Sequence, residues 1–161
     1  MRSAGTARPW CSCTVTTTPR ATCSNYAELI HDRYNVVLFD LRNHGRSQAM
    51  HTAMGVREQD DVSAVLDWLA REKAPQRVGL SGLSMGGVTA LNVAAGDGRV
   101  AAVAVDSTHA TIGNTIEARL RNQRYPLTLP GYWAVILGTW VRTGAWIPSA
   151  DAVDAVEDLG D

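Results

Sequence analysis

An excess of either charge is absent: fifteen basic residues stand against sixteen acidic ones, for a net charge of −1. A chain so balanced has no long-range field to draw it to nucleic acid, and a small molecule is the expected partner. Cysteine is scarce, and Cys11, Cys13 and Cys23 all fall in the first 23 residues. Their odd number, the missing C-x-x-C pair and the lack of histidines at zinc-finger spacing argue against a metal site, and no cofactor is expected. Long apolar runs are absent too. The most apolar-leaning stretch, Leu127 to Val141, is too short to span a bilayer and is interrupted by Pro130 and Gly131, so no transmembrane segment is expected. Met1 to Trp10 contains Arg2 and Arg8 but no apolar stretch of signal-peptide length. The expected setting is therefore cytoplasmic and reducing. Lysine is reduced to Lys73 beside fourteen arginines, and the chain is rich in Ala, Gly and Val, as GC-rich coding DNA would produce.

What remains is globular in character. With 45% hydrophobic and 19% charged residues, a chain of 161 residues is about one domain and can bury a core. Val36-Val37-Leu38-Phe39, ended by Asp40, has the continuous apolar pattern of a parallel strand buried on both faces. A loop follows, Arg42-Asn43-His44-Gly45-Arg46-Ser47. From about Val56 to Glu72, Val62, Val65, Leu66 and Leu69 recur at helical spacing, with Asp60 and Asp61 near the start, where carboxylates favour the helix dipole. Val78 to Ser81 reads as a second strand, Val88 to Ala95 as a helix, Gly96-Asp97-Gly98 as a turn, and Val100 to Val105 as a third strand ended by Asp106. Strands alternating with helices imply right-handed crossovers in a parallel α/β sheet. Beyond Asn114 the chain reads as helical, with Ile116, Leu120 and Arg124 on one helix, then Trp133 and Trp140 seven apart.

The chemistry sits at Gly82-Leu83-Ser84-Met85-Gly86, a G-x-S-x-G pattern between strand and helix. A serine on so sharp a turn adopts a strained backbone, and side chains two residues before and after it would collide as strand and helix close. Gly82 and Gly86 remove them. The Met85 N–H, opening the helix, points toward the serine hydroxyl and suits a tetrahedral oxyanion. The motif is short, and a glycine-rich turn also serves tight packing alone.

The order V-V-L-F-D-L-R-N-H-G-R-S, then V-G-L-S-G-L-S-M-G-G, resembles the α/β-hydrolase superfamily, particularly its serine-aminopeptidase and lysophospholipase-like branch with a D-x-R-x-H-G-x-S loop. The resemblance covers roughly residues 25 to 161. It implies a parallel α/β-hydrolase sheet with a helical cap, as a core portion (25–111) and the cap (112–161), while residues 1–24, outside the resemblance, read as an irregular or out-of-frame segment. It also implies Ser84 as nucleophile and Met85 N–H as first oxyanion donor. His44 then shapes the loop after its strand rather than moving a proton. Asp106 and His109 offer an unusual triad remnant, against which stands a strand-end carboxylate that binds loop N–H groups. His31 and His51 read as surface residues.

Both ends depart from the family pattern. The acid and histidine are expected on strands after the nucleophile, in the order Ser, Asp or Glu, His, and no residue here matches them. The sheet is therefore expected to be incomplete and its edge open to association. At the front, Pro9-Trp10-Cys11-Ser12-Cys13-Thr14-Val15 stands where an apolar strand ending in His-Gly is expected. Dropping the first two bases of the Pro9 codon yields a frame that permits Val-Val-Leu-Val-His-Gly, so residues 1 to 24 are hypothesised to be out of frame. Two functions remain: a serine hydrolase acting on an acyl substrate through Ser84, or a non-catalytic fragment that binds a ligand or partner through Trp133, Trp140 and Trp146.

Overall fold

The computed structural model describes residues 10–16 (as backbone), 26–75 and 77–159. Cys23, with residues 1–9 and 17–25, lies outside the described residues. Four parallel strands, β1 (Trp10–Thr16), β2 (Asn35–Asp40), β3 (Arg77–Leu83) and β4 (Val100–Asp106), form one sheet in the order β2-β1-β3-β4. The earliest strand inserts between the D-x-R strand and the strand before Ser84, as the resemblance implies. Val37 and Leu80 accordingly do not pair with each other, and both lie in register with Cys13. The segment that departs from the family pattern, Trp10–Thr16, nevertheless fills this slot. It pairs with β2 from Cys11 to Thr16 and with β3 along its whole length. Ladder hydrogen bonds are made by the backbone, and a slot between two strands leaves N–H and C=O groups that any β-tolerant segment satisfies.

Helix α1 (Glu58–Glu72) turns Val62, Leu66 and Leu69 inward, and α2 (Met85–Gly96) is buried nearly all round. Both close on Val78 and Leu80 of β3, and this cluster with Leu41, Ala90 and Val93 is the main core. Alternation along β3 follows: Val78, Leu80 and Gly82 are buried, whereas Gly79, Ser81 and Leu83 are half-buried on the opposite face. β2, read as buried on both faces, is instead half-buried through Val36–Phe39, because it is an edge strand of the described sheet.

After β4 the chain forms α3 (Ile112–Asn122) and α4 (Thr128–Thr143), a packed pair in which Ile112, Ile116 and Ile136 are buried together with Ile147 from beyond α4. Thr111 caps α3 by accepting from the Asn114 N–H at 3.2 Å. That helix stops at Asn122, so Arg124 is not on it but in the connecting turn with φ 52°. Gly144, at φ 68°, ends α4 in the left-handed conformation that glycine adopts without a side-chain penalty. A 3-10 turn (Ile147–Ala150) then leads to α5 (Ala152–Asp158), where Ala152 and Ala155 pack on Val88 and Leu91 of α2. Asp151 accepts from the Ile112 N–H at 2.8 Å, tying the start of α5 to the start of α3.

Candidate active site

Parallel strands of matched register end along one line, and here Thr16, Asp40, Leu83 and Asp106 form that rim. Open α/β sheets place their sites at such carboxyl ends, because loops there are free to carry polar groups while the strands stay buried. Ser84 stands on the rim between β3 and α2. Its backbone, at φ 54° and ψ −121°, lies in a region costly to any residue with a side chain, about 1–3 kcal/mol. Surrounding bonds hold it there. The Ser84 N–H donates to the Asp106 carbonyl at 2.9 Å, and its own carbonyl accepts from the N–H groups of Gly87 and Val88 at 2.9 and 3.2 Å. The side chain is exposed, clear of the core.

Glycines make the turn possible. A Cβ on Gly82 would run into the Gly86 carbonyl and come within 2.6 Å of the Gly87 nitrogen. One on Gly87 would strike the Thr108 hydroxyl and lie 3.2 Å from the Gly82 carbonyl oxygen and from Val105 Cβ. Gly87 was missed as part of the elbow, although the doubled glycine after Met85 is the signal for it. Met85 is buried, and its N–H lies in the first turn of α2, where helical geometry offers no intrahelical acceptor.

The loop after β2 is braced from several sides. The Arg42 guanidinium donates to the Asp61 carboxylate through Nε, 3.0 Å from each oxygen, and through Nη2 at 2.7 Å, and its pKa rises further above the usual arginine range because of these bonds. Asp61 thus serves the loop as well as the start of α1. The Arg46 N–H donates to Asp40 at 3.1 Å, and Gly45 at φ 53° lies against the same carboxylate. His44 donates through Nδ1 to the Arg42 carbonyl at 2.8 Å, a loop-shaping contact. Glu58 was not anticipated: it is fully buried and accepts from the N–H groups of Ala53 and Gly55, both at 2.9 Å.

Asp106 and His109 are not joined. Asp106 accepts from Tyr26 Oη at 2.8 Å and Ser107 Oγ at 2.9 Å, and these bonds hold its carboxyl below the usual range. The Ser107 backbone N–H adds to these bonds, as a strand-end carboxylate that binds its loop requires. His109 has a buried Nε2 without a partner, and burial pushes its pKa down against the pull of Asp151. His31 and His51 are exposed. Among the described residues no imidazole is hydrogen-bonded to the Ser84 hydroxyl, and no group of three His, Cys, Asp or Glu could hold a metal ion. A cavity of about 200 Å³ opens beneath the rim, lined by Tyr26, Ser81, Leu83, Ala104 and Asp106 among others, with Ser84 outside its walls. Trp133, Trp140 and Trp146 are each about half exposed. No helix among the described residues is long and apolar enough to cross a membrane.

Comparison with known proteins agrees with this fold. The family model of the X-Pro dipeptidyl-peptidases (S15 family) matches residues 6–131. A 60-residue stretch is 42% identical to the Bacillus subtilis (strain 168) protein YqkD, itself uncharacterized, covering 36% of this chain and 19% of that one. Among solved structures, the Pyrococcus furiosus esterase Pf2001 superimposes with a TM-score of 0.62 at 24% identity, over 77% of this chain and 54% of the esterase. An alpha-beta serine hydrolase homologue from Coxiella burnetii gives 0.54 at 20% identity, over 84% and 60%. The fold is shared with these proteins, and the chain spans little more than half the length of either.

Proposed function

Because the chain belongs to the X-Pro dipeptidyl-peptidase (S15) family of α/β-hydrolases, we propose that it carries the nucleophile half of a serine hydrolase centred on Ser84. One observation carries the reading: a serine held at φ 54° on the carboxyl rim of a parallel sheet, exposed, with glycine at the positions its turn requires. Strain of this kind persists only where the surroundings enforce it, and it lifts the hydroxyl out of the sheet toward an incoming carbonyl. In the reaction Ser84 Oγ bonds to the acyl carbon and its proton passes to a base. The Met85 N–H holds the oxyanion, the leaving group departs protonated, and water then releases the acyl group. The substrate is a small acyl compound, an ester, thioester or amide, and the setting is cytoplasmic.

The base is what these residues do not bring to Ser84. Removing it from a serine enzyme costs on the order of a millionfold in turnover, and an oxyanion hole with binding alone keeps about a thousandfold over water. The chain by itself is therefore expected to hydrolyse short-chain nitrophenyl esters and label with a fluorophosphonate no faster than its Ser84→Ala variant. Ser84-dependent turnover at ordinary enzyme rates would overturn this and make His109 the first residue to replace. The second reading, a binding fragment of the same fold, draws on the exposed Trp133, Trp140 and Trp146. Under either reading, the β4 edge, which no further strand covers among the described residues, is a surface for association.

A further inference from the structure

Helix α4 is apolar on two sides. Ile136 and Tyr132 pack against Ile112, Ile116 and Leu120, the hairpin's interior. Leu129, Trp133, Leu137, Trp140 and Val141 recur at helical spacing along a neighbouring arc and are exposed, Leu129 to 66% and Val141 to 76%. The arc runs from one end of the helix to the other, as a surface and not a pocket. Leu127 before it and Trp146 after it are exposed as well. Arg142 is the only charged residue between Thr128 and Thr143.

Charge selects what such a face meets. Between residues 112 and 146 there are four arginines, Arg119, Arg121, Arg124 and Arg142, and a single carboxylate, Glu117. That is a net +3, and it leaves −4 on the remainder of the chain. A second copy docked face to face would bring +3 against +3. An anionic lipid surface complements the charge, and tryptophan with leucine and valine is the composition that settles at the boundary between headgroups and acyl chains. We propose that the exposed arc of α4, with the arginines of the α3–α4 hairpin, docks the protein onto an anionic lipid–water interface. The helix lies in the plane of the interface, with the tryptophans at headgroup depth.

The test uses the whole chain with vesicles of phosphatidylglycerol mixed into phosphatidylcholine, and with phosphatidylcholine alone. Binding is read by co-sedimentation and by the blue shift of tryptophan emission. Binding to the mixed vesicles is expected, weakened in about 0.5 M salt as charges become screened, and weakened about tenfold by Arg124→Glu. The exposed pair Leu137→Glu with Val141→Glu is expected to abolish it while far-UV circular dichroism stays that of the parent chain. Failure to bind the mixed vesicles overturns the proposal, as does undiminished binding by the folded Leu137→Glu/Val141→Glu chain. A dimer lost in that same variant, without lipid binding in the parent, overturns it in favour of a second copy.

Discussion

Two glycines separated by one helix allow the elbow to be tested with the same atom group. Gly82→Ala adds a methyl that must displace the Gly86 carbonyl and the Gly87 nitrogen, and neither belongs to a side chain that can swing aside. The turn between β3 and α2 has to open, and overpacking against rigid backbone costs about 3 kcal/mol or more. At roughly 2–4 °C per kcal/mol for a chain of this size, the midpoint should fall by roughly 6–12 °C. Gly96→Ala adds the same methyl at the far end of α2, where nothing lies within 4 Å. There the only effect is reduced backbone freedom and better helix propensity, a gain of about 0.5 kcal/mol. Thermal and urea unfolding followed by far-UV circular dichroism should give opposite signs for the two variants. A Gly82→Ala chain as stable as the parent would refute the closed elbow, and with it the reason for Ser84's strained backbone.

Two further outcomes follow from buried polar groups. Glu58→Gln replaces an acceptor of two N–H groups by an amide that presents a donor to one of them, and should cost about 1–3 kcal/mol in urea unfolding. His109, lowered from 6.5 in the folded chain, binds its proton more readily when unfolded. Its contribution is therefore intact above pH 6.5 and is lost as the pH falls below that value toward the folded pKa. Unfolding free energies measured between about pH 7.5 and 5.5 should fall more steeply for the parent than for His109→Gln, and parallel profiles would contradict the burial argument.

Periodicity and motif order made much of this fold legible. β2, β3, β4 and the stripe of α1 were read from apolar patterning, because a residue's place on a helix or strand face depends on spacing. The strand order came from the resemblance, since no local pattern tells β2 and β3 that another strand separates them. Contacts across the chain were hidden. Nothing near Glu58 in the sequence marks a buried carboxylate, because its partners are backbone N–H groups whose direction depends on Gly55 at φ 103°. Asp61 looked like a helix-dipole residue until the fold brought Arg42 to it. The sharp turn at Ser84 and the close approach at Gly82 were legible because such a turn is made within a few residues, and Gly87 was not because it answers to Thr108 and Val105, far along the chain.

The placement of β1 makes assembly of the rim depend on timing. Its Cys11 pairs on one side with Asn35 and on the other with Val78. During synthesis from the N-terminus, β2 is available to β1 well before β3 exists. The first ladder can close early, leaving the second edge of β1 unsatisfied until Arg77–Leu83 has emerged, and long-range pairing of this kind is slow and open to misassociation. Within the sheet, β1 is the strand that joins β2 to β3, whose end leads into Ser84. An opening of β1 would separate the sheet into two bodies, and hydrogen exchange would find its amides released together with the alignment of the rim.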